Sequence, residues 1–352
     1  VSATSGVPAT PGVPGENPAT ASAVLTIRQV QPDDADAHRL WKAQERDLAE
    51  RYEDPELELE TTFPTLVGSW VGDDDGTPVA TLVARWSPYA GTRPGDLELK
   101  RLWVEPTHRG RGHSKALMRV AEEAGRRAGA TRLILETGLR QPEAMALYER
   151  LGYRRMTNYG EYAEEPESVC YAKDLPTRVL VLNGTMGAGK TTTAAAVHDL
   201  LAERGARSVF VDGDYLCQAT PADPSDPHHQ RLMFASLAAL APLWREAGYG
   251  FVVVPRVVED GDDRARYASA LSTADAGLAS VAVVRVTASE PTRVERLTER
   301  EPEGYWRDMA LARTVELEGI LEDLRLDDAV VSTEGRDRLE VAAEVMRAAG
   351  WQ

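Results

Sequence analysis

The sequence predicts an α/β protein of two consecutive domains, an α+β unit followed by an open parallel sheet. Three observations carry this expectation. The chain has 352 residues, long for one core and ordinary for two. It holds two glycine loops of different pattern, RGRGHS at Arg109–Ser114 and GTMGAGKT at Gly184–Thr191, each of which needs its own strand, turn and helix. In the second half β-like and helical patterns alternate regularly, as in a sheet covered on both faces.

With 40 Lys and Arg against 56 Asp and Glu, the net charge is -16. Such a balance argues against a nucleic-acid partner, since phosphate backbones are met by clustered cations. Neutral or cationic small molecules fit better. The two cysteines, Cys170 and Cys217, lie in separate halves with no C-x-x-C spacing, and no histidine cluster suggests a metal site. They read as inert thiols of a reducing compartment. Residues 1–23 are rich in Pro, Gly, Ala, Thr and Ser without the apolar core of a secretory signal, and are expected to form a disordered tail. No apolar run approaches the span of a bilayer, so a cytoplasmic protein without a membrane partner is expected. Oligomeric state is left open.

In the first half VLTIRQV reads as a strand, the stretch near Ala35 to Tyr52 as a helix, and TLVGSWV and PVATLVARW as a hairpin around DDDGT. The run Leu97 to Val104 (LELKRLWV) is a strand closed by Glu105 and Pro106. After the glycine loop, Leu117, Val120, Ala121, Ala124 and Ala128 recur at helical spacing, with Gly129 as terminator. The loop therefore opens a helix. Without side chains at Gly110 and Gly112, backbone N–H groups converge at the helix N-terminus, where an anion such as a pyrophosphate is favoured. TRLILET reads as the next strand, PEAMALYERLGY as a helix with Pro142 at its start and Gly152 at its end, and SVCYAKDL as a last strand.

These residues resemble the GNAT N-acetyltransferase family. Its coenzyme-A loop reads Gln or Arg, two free positions, Gly, one free position, then Gly or Ala; Arg109, Gly112 and Ser114 stand at the defined positions, with Ser at the last. The resemblance covers Val24 to about Leu175. It implies an α+β acetyltransferase fold in which Val104, Arg109, Gly110, Arg111, Gly112, His113 and Ser114 surround acetyl-CoA, with a small-molecule amine as acceptor. By the same resemblance Tyr148 protonates the departing thiolate and Glu98 removes the amine's proton through water. Each has a structural alternative: Tyr148 packing its ring against the sheet, Glu98 pairing with Lys100 or Arg101. The acidic residues Glu53, Asp54, Glu56, Glu58, Glu60 and Asp73 to Asp75 either attract a cationic amine or only solvate a surface.

In the second half, residues 178–352, RVLVLN, SVFVD, GFVVVP, SVAVVRV and AVVST are the expected strands, with a first helix from Lys190 to Arg204. The loop fits G-x-x-x-x-G-K-S/T at every defined position and follows an apolar run, which predicts a P-loop for ATP. Backbone amides from Gly184, Thr185, Met186, Gly187, Ala188 and Gly189 to Thr192 wrap the phosphates, Lys190 neutralises them, and Thr191 ligates Mg²⁺. Asp212 and Asp214 close the second strand, Asp212 ordering Mg²⁺ and Asp214 accepting a hydroxyl proton, unless both merely cap the next element. VDGDYL resembles the adenylyl-sulfate kinase and small-molecule kinase branch of P-loop proteins. Of the arginines in the charged stretch after the fourth strand, Arg296, Arg300, Arg307 and Arg313, the resemblance to a kinase lid favours Arg300 and Arg313 at the transferring phosphoryl group. Arg256 either meets the acceptor or pairs with Glu259 or Asp260. Tyr215, Leu216 and Cys217 replace the basic residue that an anionic acceptor needs, which favours a neutral or cationic small-molecule alcohol. The whole chain then reads as a bifunctional enzyme of the antibiotic-modifying kind, or alternatively as an acetyltransferase regulated by an NTP-binding or NTP-hydrolysing domain.

Overall fold

The computed structural model describes residues 25–221, 224–226 and 228–351, and the tail expected over residues 1–23 falls outside them. The first sheet is built from β1 (Thr26–Val30), α1 (Ala35–Tyr52), β2 (Leu66–Asp74), β3 (Thr77–Trp86), β4 (Asp96–Val104), α2 (His113–Ala128), β5 (Arg132–Gly138), α3 (Pro142–Arg150), β6 (Arg154–Met156) and β7 (Ser168–Asp174). Its strands lie in the order β1-β2-β3-β4-β5-β7-β6. Asp34 starts α1 by accepting from the Ala37 amide at 3.0 Å. Asp75 and Gly76, both at positive φ, make the tight turn between β2 and β3. The apolar stripe of α2, Leu117, Met118 and Ala121, packs on Leu82, Leu97 and Leu133 of the sheet. The short β6 was not among the expected strands, because its residues, two of them exposed arginines, show no apolar alternation.

All pairings in this sheet are antiparallel except that of β4 with β5. That parallel pairing runs only from Asp96 with Arg132 to Leu99 with Leu135. Beyond it β4 carries a bulge, in which Arg101 and Leu102 stand opposite the single Leu82 of β3 and Arg101 takes φ 59°. A bulge bends its strand and increases its twist. The two strands therefore part, and the sheet opens into a V toward their C-terminal ends.

The chain then enters a second, parallel-sheet domain: β8 (Arg178–Asn183), α4 (Lys190–Glu203), β9 (Ser208–Phe210), α5 (Gly213–Leu216), α6 (Gln230–Glu246), β10 (Phe251–Pro255), α7 (Asp263–Ala270), β11 (Ser280–Thr287), α8 (Glu290–Arg300), α9 (Tyr305–Leu324), β12 (Ala329–Ser332) and α10 (Arg338–Ala348). The order β12-β11-β8-β10-β9 is parallel throughout. Alternation along β8 explains the layers: Leu180 and Leu182 face the cluster with Ala194 and Val197 of α4 and Val345 of α10, while Val179 and Val181 face Leu237 of α6 and Tyr267 of α7. β9 stops at Phe210, short of the expected Asp212, because Asp212 has left the ladder to cap α5. Among the described residues no helix is long and apolar enough to cross a membrane.

The two sheets meet at the ends away from their glycine loops. Backbone approaches backbone there: a Cβ on Gly250 would lie 2.1 Å from the Gly129 carbonyl oxygen, and one on Gly248 would lie 2.5 Å from the Gly95 nitrogen. Buried Arg245 of α6 crosses this seam, donating to the carbonyls of Leu175 at 2.8 Å and Thr131 at 2.9 Å, to Thr177 Oγ1 at 3.1 Å and to Asp174 Oδ1 at 3.2 Å. We expect Arg245→Ala to lower the stability of the whole chain by roughly 3–5 kcal/mol, since it strands buried acceptors and a carboxylate. Urea unfolding checks this, and a loss below about 1 kcal/mol would show the seam to be weak.

Candidate active sites

The V between β4 and β5 holds two clefts that meet. One, of about 480 Å³, is lined by the glycine loop and the start of α2, including Arg109, Gly110, Gly112 and Ser114. The other, of about 580 Å³, is lined by Glu60, Tyr89, Lys100, Arg101, Glu136, Glu161 and Tyr162. Leu102 and Tyr148 belong to both, so they mark the passage between them.

Gly112 caps α2 at φ 87° and no side chain bonds the first helical amides, which are left for an anion. A Cβ at Gly110 or Gly112 would meet nothing within 4 Å, yet both need a left-handed backbone. The arginines of the loop are engaged. Arg109 donates to the Val104 carbonyl at 3.0 Å and pairs with Asp47 of α1. Arg111 reaches Asp74 at 2.8 Å, and the buried His113 ring lies 3.2 Å from the same carboxylate. Hydrogen bonds from His113 and Arg111 outweigh burial and hold the Asp74 carboxyl below its usual range. The side chains of Arg111 and His113 thus fasten the loop to the end of β2, and His113 also lines the cleft along the loop.

Tyr148 on α3 sits buried between the rings of Tyr153 and Tyr171, with centroids 6.1 and 5.8 Å away. Burial, aided by the charge of Glu136, pushes its phenol well above the ordinary value, so it keeps its proton. Glu98 meets the packing alternative, with Lys100 but not Arg101 within ion-pair distance, and adds a partner that was not expected. It is fully buried, accepts from Arg85 Nε at 2.8 Å and from the Tyr159 hydroxyl at 3.1 Å, and has Lys100 at 4.0 Å. Its partner is Arg85 of the adjoining strand, and the pair braces β3 against β4. Glu136 of β5 lines the second cleft together with Glu58, Glu60 and Glu161, and accepts from Ser168 Oγ at 2.7 Å. Burial raises its pKa, with Glu98 and Glu161 acting the same way and the Ser168 bond opposing. A lone carboxylate in the apolar run LILETG was the sequence signal for it.

In the second domain the loop after β8 is held by its carbonyls. Thr314 Oγ1 of α9 donates to Met186 O at 2.8 Å, Arg296 of α8 to Gly187 O at 3.2 Å, and Thr333 Oγ1 to Ala188 O at 3.0 Å. Asn183 anchors the strand end, accepting from the amides of Gly184 at 2.8 Å and Val258 at 2.9 Å. Gly184, Gly187 and Gly189 all have positive φ. No side chain caps α4, so its first amides, like those of α2, have no side-chain partner. Lys190 Nζ bonds Gly184 O at 2.9 Å and Thr185 O at 3.0 Å. Burial, with the charges of Arg300 and Arg256 in the same sense, lowers its pKa to about 8, against the pull of Asp214 and Asp212. Thr191 and Thr192 are exposed at the start of α4.

Asp212 accepts from the Asp214 amide at 2.9 Å and so does cap α5, while Asp214 pairs with Arg256. Arg256 therefore takes neither Glu259 nor Asp260. Arg313 takes Glu259, along with Glu316 at 2.7 Å, and Arg300 bonds Glu301 at 2.7 Å. Of the four arginines singled out in that stretch, Arg296 is bonded to the glycine loop itself.

Residues 35–153 match the model of the acetyltransferase (GNAT) family. The IAA acetyltransferase of Azospirillum brasilense is 37% identical over 84 residues, 24% of this chain and 55% of that protein. The N-acetyltransferase 8 of Mus musculus is 38% identical over 90 residues, 25% of this chain and 39% of that protein. The chain thus spans about half, or less, of the length of these curated relatives. A provisionally designated acyl-CoA N-acyltransferase from Klebsiella pneumoniae, of solved structure, is 29% identical and aligns with 43% of this chain and 98% of its own at a TM-score of 0.37.

Because Glu98 braces the sheet, Glu98→Gln is expected to cost roughly 3 kcal/mol of stability by weakening a buried ion pair. The dependence of acetyl transfer on pH should keep its shape in this variant, and loss of the ascending limb would return the base role to Glu98.

Proposed function

We propose, starting from a GNAT acetyltransferase domain over residues 35–153, that the first half moves an acetyl group from acetyl-CoA to a small-molecule amine. The observation that carries this is the meeting of the two clefts at Tyr148 and Leu102, which sets a cofactor side against an acceptor side. Coenzyme A supplies the acetyl group as a thioester, and its pyrophosphate suits the uncapped amides of α2. Glu136 takes the proton that the acceptor ammonium must lose before its nitrogen attacks the thioester carbonyl. Tyr148, still protonated, gives its proton to the sulfur as the C–S bond breaks. A carboxyl with raised pKa beside a protonated phenol supplies the base and the acid that such a transfer needs.

For the second domain we propose ATP-dependent phosphoryl transfer to a small-molecule hydroxyl. Support comes from the loop's carbonyls being bonded from behind, which leaves its amides for phosphate, with Lys190 held beside them on the carbonyls of Gly184 and Thr185. Magnesium neutralises phosphate charge in such reactions, and the oxygen donors Thr191 and Asp212 suit it. Asp214 accepts the hydroxyl proton once the acceptor draws Arg256 from it, and Arg300 is near enough to influence Lys190. Nucleotide control of the first site is the weaker reading, since the seam touches both sheets away from their loops.

Two outcomes test these readings. Glu136→Gln should lower kcat for acetyl transfer by about 10²–10⁴-fold. In the unaltered protein the rate should rise with pH through a carboxyl pKa above the usual range, whereas an unaffected variant removes Glu136 from the mechanism. For the second site, Lys190→Ala should abolish uptake of Mg-ATP in calorimetry while acetyl transfer persists. Since the binding form of Lys190 is protonated, nucleotide affinity in the unaltered protein should hold below pH 8 and weaken above it, by up to roughly tenfold per pH unit. A flat profile to pH 10 would count against it.

A further inference from the structure

The acceptor-side cleft contains a buried cation whose hydrogen-bond partners are all neutral. Arg101 is 6% exposed and lines that cleft. Its Nε and Nη2 donate to the Glu60 carbonyl oxygen at 2.9 and 2.6 Å, and its Nη1 reaches Gln44 Oε1 at 3.5 Å. Among the described residues no carboxylate lies within ion-pair reach of it. The neighbouring Lys100 differs, with Glu60 at 3.8 Å and Glu98 at 4.0 Å. Burial draws the Arg101 pKa down to about 10 against the weaker pull of Glu45 and Glu60, the mark of a charge its surroundings leave undercompensated.

Its position is also imposed. Arg101 holds the left-handed conformation of the β4 bulge, at φ 59°, so the feature that opens the V also sets this guanidinium in its wall. A non-glycine residue in that conformation is costly to keep, and a buried guanidinium without an anion is costly as well. A carboxylate matches its planar fork better than any other common group. The same cleft carries Glu58, Glu136 and Glu161, which would repel a plain acid but attract an ammonium.

The geometry points to an acceptor that bears a carboxylate as well as its amine, an amino acid or a close derivative, with Arg101 holding the carboxylate and Glu136 facing the amine. This rests on the acetyl-transfer reading of the same cleft. Arg101 then selects substrates, and takes no part in bond making.

The test uses the full chain with acetyl-CoA and reads release of the free thiol. Alanine, methionine, phenylalanine and lysine are compared with their carboxamides and with the amines left on decarboxylation. The carboxylates should be preferred by about tenfold or more in kcat/KM, chiefly through KM. Arg101→Gln should level the classes, and Arg101→Lys should restore part of the preference. Equal rates for acids and amides in the unaltered protein, or a preference that survives Arg101→Gln, would overturn the proposal. Should the variant fail to fold, the comparison of acids with amides on the unaltered protein decides alone. Calorimetric titration of the same panel in the presence of coenzyme A separates the two readings. Carboxylate-selective binding without turnover rejects acetyl transfer and keeps the anchor, turnover without selectivity rejects the anchor alone, and neither binding nor turnover rejects both.

Discussion

The brevity of one parallel pairing governs the first half of the molecule. β4 and β5 are bonded only as far as Leu99 and Leu135, and the bulge at Arg101 and Leu102 prevents them from continuing. Had the ladder run on, the sheet would be closed where the two clefts now meet. Backbone groups freed by the parting are tolerable only because the gap is a cleft rather than packed core. The Arg85–Glu98 pair stiffens the β3–β4 side of this opening, and the Asp74 and Asp47 carboxylates fix the loop that lies over it. Buried charge here holds a shape against strands that would otherwise close. It is an expensive brace, because both ions have left water.

The same kind of helix start appears in both domains. α2 and α4 each begin after a glycine in the left-handed region, and neither has a side chain bonded to its first amides. Asp34 caps α1, Asp212 α5, Ser289 α8 and Asp337 α10, whereas α3, α7 and α9 also begin without a side-chain cap. A helix that forgoes its cap loses about 1 kcal/mol, and the loss is recovered when an anion arrives. The two loops are secured differently: the first through its arginine and histidine side chains, the second through its carbonyls.

Much of this was legible in the chain. Period-two alternation and turn residues located nearly every strand, and α1 falls on the stretch near Ala35 to Tyr52 that reads as helical. Both loops announced themselves by glycine spacing. What escaped was pairing across distance. Nothing local says that Glu98 meets Arg85, that Arg256 meets Asp214, or that Arg111 and His113 turn back to Asp74, since each pair depends on strand register. β6 escaped for another reason, being held by β7 rather than by any apolar pattern of its own. Glu136 was readable as an isolated acid among aliphatic neighbours, but a carboxylate at that spot draws notice only once the parting of β4 from β5 is known.

The seam around Arg245 joins the sheets by the ends where their strands begin, and the loops lie where strands finish. Nine residues of β4 and six of β8 carry the chain from this seam to the two loops. Loosening the junction would therefore weaken both scaffolds without touching either loop directly. The fusion guarantees equal numbers of the two folds and lets each lend the other its rigidity.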